Sequence, residues 1–248
     1  MELDIQKWLP ITSPTRFPLI ILPDESFFYD EKTFLSNEYL DTISIIKNFA
    51  KKNFSEIEQK KFYFLYGRNQ FGEERLAEYF KNKGYEIIKP ENFSFPEQLN
   101  ILANCESLAS TVGSCSHNSI FMKDESELIL LPRYPESVLN GYQKALNQFS
   151  NLNINYVDSD LSLFSNSIYE PFCYIISKQL KKFFGDESAD GYSEEDFITF
   201  LQYVRYSMAH GLKENPESKE YYLKILPEFY SQLIQRKDLM EKFGVFIK

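Results

Sequence analysis

Ser107-Leu108-Ala109-Ser110-Thr111-Val112-Gly113-Ser114-Cys115-Ser116-His117-Asn118 carries the clearest architectural signal in the sequence. It reads as a short buried strand that runs into a Gly/Ser-rich turn, with a helix-like segment from Asn118 to Met122 behind it. A turn of this kind aims several backbone N–H groups at one spot. The first amides of a helix lack internal partners and the helix dipole is positive there, so the spot suits a phosphate or diphosphate. Ordinary strand-to-helix turns close in the same way, so the flanking sequence has to carry the rest.

Working outward, apolar runs alternate with helical patterns. Phe17 to Leu22, Lys61 to Tyr66, Tyr85 to Ile88, Glu127 to Leu131 and Asn153 to Val157 read, with Ser107 to Thr111, as about six strands. They are short and mostly unalternating, as strands buried on both faces are. Helical spacing runs from Thr33 to Asn53, from Gly72 to Lys83, from Ser94 to Asn104 and from Glu136 to Phe149. Ser94 followed by Glu97 forms a capping box. The alternation predicts an α/β protein: a Rossmann-like, mainly parallel sheet with helices on both faces. Ligands of such sheets bind beyond the carboxyl ends of the strands. Those ends carry Arg68, Asn69, Lys89, Gly113 to Asn118, and Arg133.

The pattern changes after Asp158. Helices are expected over 169–184, 193–211 and 218–244, with Phe197, Phe200, Leu201, Val204 and Met208 on one apolar stripe of the middle one. The expected organisation is an arm over 1–16, a sheet domain over 17–157 and a helical appendage over 158–248.

A net charge of −9 argues against a general nucleic-acid binder, because phosphate backbones demand clustered Lys and Arg. Cys105, Cys115 and Cys173 show no metal-ligand spacing and read as buried thiols. Met1-Glu2-Leu3-Asp4 does not resemble a signal peptide, and no apolar run approaches the ~20 residues of a membrane span. A reducing cytoplasm is the expected compartment.

Single residues narrow the chemistry. Arg68 follows a strand and a glycine, where a guanidinium can grip a diphosphate with two hydrogen bonds; capping a strand end is its plainer role. His117 lies in the first turn of a short helix, whose dipole favours a neutral imidazole able to donate a hydrogen bond or act as a base. A structural, hydrogen-bonded histidine fits that position too. Glu73-Glu74 suits a helix N-terminus or a site, and His210 suits a helix C-terminus. Asp158-Ser159-Asp160 has the spacing by which some transferases hold a metal, but it also fits a strand-end turn. No Walker A, G-x-G-x-x-G, H-E-x-x-H or G-x-S-x-G motif is present.

Taken together, the residues resemble glycosyltransferase family 61, which includes bacterial capsular-polysaccharide enzymes. The family pattern is a strand ending in Arg, an Asn-Glu-x-x-Leu helix, a Glu-Gln pair and His-Gly-Ala-x-Leu-Thr-Asn-x-x-Phe. These fall on Arg68, on Gly72-Glu73-Glu74-Arg75-Leu76, on Glu97-Gln98 and on Val112 to Phe121. Gly113, Asn118 and Phe121 are kept. Gly72, Val112, Ser114 and His117 replace the family's Asn, His, Ala and Thr, and Leu130 stands where an acid is usual.

The resemblance implies a nucleotide-sugar donor, a carbohydrate acceptor and the nucleotide-binding half of a two-domain, GT-B-type fold. It implies catalysis by His117 and Glu73. Nucleotide-sugar binding would fall to Arg68, Asn69, Gln98, Gly113, Ser114, Ser116, Asn118 and Arg133. Transfer needs neither metal nor cofactor on this reading, since positive groups neutralise the leaving diphosphate. A homo-oligomer or a partner transferase would supply the missing half. A pyruvyl- or phospho-transferase of the same pathways, and a non-catalytic nucleotide-sugar-binding partner, are the alternatives.

Overall fold

The structure is a computed structural model describing residues 27–28, 34–55, 57–66, 70–133, 141–165, 171–186, 191–214, 220 and 226–245. The arm over 1–16, the strand over 17–22 and the residues Arg68 and Asn69 lie outside the described residues.

Phe27–Phe28 (β1) pairs antiparallel with Phe34–Leu35 (β2). The first helix starts later than its apolar spacing predicts. Ser36 caps it, its Oγ accepting the Tyr39 N–H at 3.1 Å, and α1 runs Asn37–Asn53.

Five of the six expected strands form one parallel sheet: Lys61–Phe64 (β3), Glu86–Ile88 (β4), Ser107–Thr111 (β5), Glu127–Leu131 (β6) and Asn153–Tyr156 (β7). The order is β4-β3-β5-β6-β7, with every pairing parallel. The chain therefore winds outward from β3 to β4, returns to place β5 on the other side of β3, and continues the opposite way. The crevice above the ends of β3 and β5 is the topological switch point, where ligands of such sheets sit.

Alternation along the strands separates two faces. Phe62, Phe64, Leu108, Leu128 and Leu130 pack with Ile101 and Leu102 of α3 (Phe95–Asn104). Tyr63, Ala109, Ile129 and Leu131 pack with Leu76, Ala77 and Phe80 of α2 (Glu73–Asn82). The Tyr63 ring stacks on Phe80 at 4.7 Å. Two more helices, α4 (Ser114–His117) and α5 (Gly141–Phe149), follow β5 and β6. The capping box read from Ser94 and Glu97 forms, the carboxylate accepting the Ser94 N–H at 2.7 Å and its hydroxyl at 2.6 Å.

The C-terminal region differs from its expected form among the described residues. The helix over 169–184 shrinks to α6 (Lys178–Phe183), capped by Ser177, whose Oγ accepts the Leu180 N–H at 3.0 Å. The residues before it are extended. Cys173 bridges in parallel to Phe71, and Tyr174 antiparallel to Asp160. Pro171 and the β-branched Ile175-Ile176 disfavour a helix there, and pairing partners distant in sequence decide the matter.

Beyond α6 the described residues include α7 (Glu194–Ala209), α8 (Pro227–Gln235) and α9 (Lys237–Phe243), which fall in the expected helical spans. A two-residue ladder joins β8 (Phe164–Ser165) to β9 (Lys213–Glu214). Phe197, Phe200, Leu201 and Val204 enter a core with Phe229, Tyr230 and Leu233. Met208, placed on the same stripe by its spacing, is 61% exposed near the helix end. Among the described residues no helix is long and apolar enough to cross a membrane.

Candidate functional site

Parallel pairing sends β3, β5 and β6 out at one edge. Hence Gly113 after β5, Arg133 after β6 and Glu73 at the start of α2 share that edge. Arg133 is the centre. It is 8% exposed, and its guanidinium lies 4.0 Å from the ring centroid of Tyr66 and 5.1 Å from that of Phe172. Close approach of this kind suits Arg, whose planar, weakly hydrated charge tolerates aromatic surroundings.

Gly113 is required by that placement. A Cβ at position 113 would stand 2.3 Å from an Arg133 terminal nitrogen. The glycine therefore lets the guanidinium reach the loop backbone.

Glu73 is the first residue of α2 and is buried. Its Oε1 accepts the Tyr66 N–H at 2.9 Å. Burial pushes its carboxyl up to about 7, although the Tyr66 N–H and the charges of Arg133 and Lys89 pull the other way. Burial lowers the basicity of His117, and the Arg133 charge lowers it further. The neutral imidazole foreseen from the helix dipole thus has two other causes. With only four residues, α4 has little dipole to offer.

Buried donors cluster around the same guanidinium. Its charge is felt by the phenols of Tyr63 and Tyr174, which burial holds well above their ordinary range. The Tyr63 hydroxyl, Gln70 Nε2 and His117 Nε2 are buried without a hydrogen-bond partner among the described residues. Buried polar atoms are normally paired. Three such atoms in the segments that form this edge fit a place where a polar ligand or water completes the bonding.

The other side of the loop is bound internally. Gln98 donates to Pro90 O at 2.9 Å and Phe93 O at 3.0 Å, and its Oε1 accepts from Asn118 Nδ2 at 3.1 Å. The Ser116 hydroxyl lies 2.8 Å from Gly113 O and 2.6 Å from Gln143 Oε1, and accepts the Gly113 N–H at 3.0 Å. Ser114 alone of the loop serines is exposed.

Asp158-Ser159-Asp160 is bonded internally, with Asp160 in an antiparallel bridge to Tyr174. Asp160 Oδ1 accepts the Ser162 N–H at 3.1 Å and also its hydroxyl, while Ser177 Oγ donates to Asp158 O. Burial pushes the Asp158 carboxyl up to about 6. No cluster of three His, Cys, Asp or Glu able to hold a metal occurs among the described residues. His210 ends α7 as expected, stacked on Tyr206 at 3.9 Å.

A groove of about 660 Å³ lies at the opposite edge of the sheet. Lys60, Glu106 and Glu125 before the strands line it, together with Lys47, which pairs with Asp124. Its charges are mixed, and it lies away from the carboxyl ends where parallel sheets bind ligands.

Tyr66, Gln70 and Phe172 were not read as site residues from the sequence. Gln70 and Tyr66 flank Gly67-Arg68-Asn69 in the sequence and could have been suspected from that position. Phe172 carries no local signal, because tertiary pairing alone brings it to Arg133.

Residues 30–129 match the family model described as Glycosyltransferase 61. The matched segment is about two-fifths of the chain and contains Glu73, Gln98 and Gly113 to Asn118. It supports a glycosyltransferase 61 domain and, with it, a glycosyltransferase-like protein. Arg133 and Phe172 lie beyond its end. No curated protein matches the chain.

The departure from the family pattern at Gly72 has a physical reason here. Gly72 is left-handed at φ 79°, and a Cβ there would stand 2.0 Å from Tyr174 O. An asparagine also tolerates that backbone region, but not that contact.

Proposed function

We propose that the chain binds a nucleotide-sugar at the switch point and serves sugar transfer in bacterial cell-surface or capsular polysaccharide synthesis, in the cytoplasm. The observation that carries this reading is the buried Arg133, seated against Gly113 beside the family-like loop. A guanidinium fixed there meets a diphosphate with two parallel hydrogen bonds, and Ser114, Arg68 and Asn69 are the further contacts on this reading. Gln98, Asn118 and Ser116 hold the loop in shape around it.

In transfer, an acceptor hydroxyl attacks the anomeric carbon, the bond to the diphosphate oxygen breaks, and the positive groups take up the developing charge. The acceptor's proton passes to a base. His117 and Glu73 are the candidates, one kept neutral by burial and the other poised near neutrality. The chain acts as the donor-binding half of a GT-B-type enzyme, with a second copy or a partner transferase forming the acceptor side. No metal is needed for this step.

A second reading is favoured by one observation. Val112 stands at the family's His position and is packed into the core with Leu108 and Met122. That loss suits a non-catalytic nucleotide-sugar-binding partner.

A thermal-stability screen against UDP, GDP, CDP and their sugars, with and without EDTA, tests both readings. A ligand at 100 times its Kd adds about 2.7 kcal/mol. Stabilisation that survives EDTA supports the site. The absence of stabilisation by every nucleotide overturns it. Sugar transfer to a carbohydrate acceptor separates the catalytic reading from the partner reading.

A further inference from the structure

The residues around Arg133 come from two distant parts of the chain. Tyr66 belongs to the sheet region, while Phe172 belongs to the extended segment that precedes α6. That segment is held against the loop after β3 by a run of bonds. Gln70 Oε1 accepts the Phe172 N–H at 2.6 Å, Phe71 N–H donates to Phe172 O at 3.0 Å, and Tyr174 N–H donates to Phe71 O at 2.8 Å. Gly72 lets the two backbones approach, since any Cβ there would strike Tyr174 O. Phe172 is 3% exposed, so its ring is fixed by packing as well as by its backbone.

We infer that Phe172 is a positioning residue, which holds the Arg133 guanidinium in the attitude that receives the diphosphate. The inference rests on the proposed nucleotide-sugar site for its ligand, but the contact itself is independent of that reading. Residues 171–174 complete the donor site from outside the segment that matches the transferase family. The ring acts through its aromatic face: it attracts the cation and blocks the space into which Arg133 would swing.

Two variants separate this role from plain core packing. Phe172→Leu keeps apolar bulk but loses the ring face, whereas Phe172→Trp keeps the face. The first readout is the rate at which phenylglyoxal modifies Arg133 in the folded chain, followed by peptide mass spectrometry. We expect slow modification in the parent and in F172W, and at least fivefold faster modification in F172L below its unfolding temperature. Equal rates in the parent and F172L overturn the inference, as does F172W reacting as fast as F172L.

The second readout is the Kd of whichever of UDP, GDP or CDP binds the parent. F172L is expected to weaken it about tenfold and F172W by less than threefold; equal weakening in both overturns the inference. If the parent binds none of the three, the proposed function fails, while the labelling rates still decide the role of Phe172.

Discussion

The two flanks of the Gly113–Asn118 loop spend their polar groups differently. On the Gln98 flank, side chains bond to their own chain: Gln98 to Pro90, Phe93 and Asn118, and Glu97 to Ser94. On the Arg133 flank, the guanidinium is buried on aromatic rings, Glu73 is displaced in pKa, and the Tyr63 hydroxyl and His117 Nε2 have no partner among the described residues. On the proposed reading one flank is a scaffold and the other a site. Family-like residues thus fall into two groups that a motif cannot distinguish, because both geometries need polar side chains at fixed spacing.

The largest expected effect that sharpens this contrast is on pH-dependent stability. Between about pH 4.5 and about pH 7 the folded chain keeps the Glu73 proton that the unfolded chain has released. Stability therefore falls as pH rises through that window, and the cost of the buried carboxylate is complete above it. Glu73→Gln removes the titration and retains an acceptor for the Tyr66 N–H. The stability of E73Q relative to the parent should rise by on the order of 3 kcal/mol between pH 4.5 and pH 8. Urea titrations at several pH values measure it, and a flat difference would place Glu73 outside the buried cluster.

Gly113→Ala comes next. The added methyl meets the Arg133 guanidinium, so the side chain must leave its seat. Affinity for the best nucleoside diphosphate should drop at least tenfold, about 1.4 kcal/mol, in a fluorescence or calorimetric titration. Unchanged affinity would mean that the seat of Arg133 does not matter for binding.

The smallest effect belongs to the scaffold flank. Gln98→Ala removes three hydrogen bonds from a half-buried side chain and should cost about 1–2 kcal/mol of stability in a denaturant titration. Nucleotide affinity should stay within threefold of the parent. A tenfold loss of affinity at unchanged stability would move Gln98 into the site and dissolve the contrast between the flanks.

Much of the fold is legible in the sequence. Unalternating runs such as Leu128-Ile129-Leu130-Leu131 announce strands covered on both faces, and the capping pair Ser94/Glu97 marks a helix start that the structure keeps. The shared sheet edge follows from the alternation, so Gly113 and Arg133 could be gathered from position alone. The segment 171–174 was not legible. Its helical apolar spacing is real, but its backbone bonds go to Phe71 and to Leu161, partners that no local pattern reveals. The pairing of Gln98 with Asn118 was hidden for the same reason. Spacing can place two polar residues near a loop, but not say whether they face each other or a ligand.

The central claim is that the Arg133 flank binds and the Gln98 flank supports. Calorimetric titration of the best nucleoside diphosphate into the parent, Arg133→Ala and Asn118→Ala tests it most directly. The account predicts a loss of about 100-fold or more in R133A, worth about 2.7 kcal/mol, and no more than about threefold in N118A. Equal losses in both variants, or a larger loss in N118A, would contradict it.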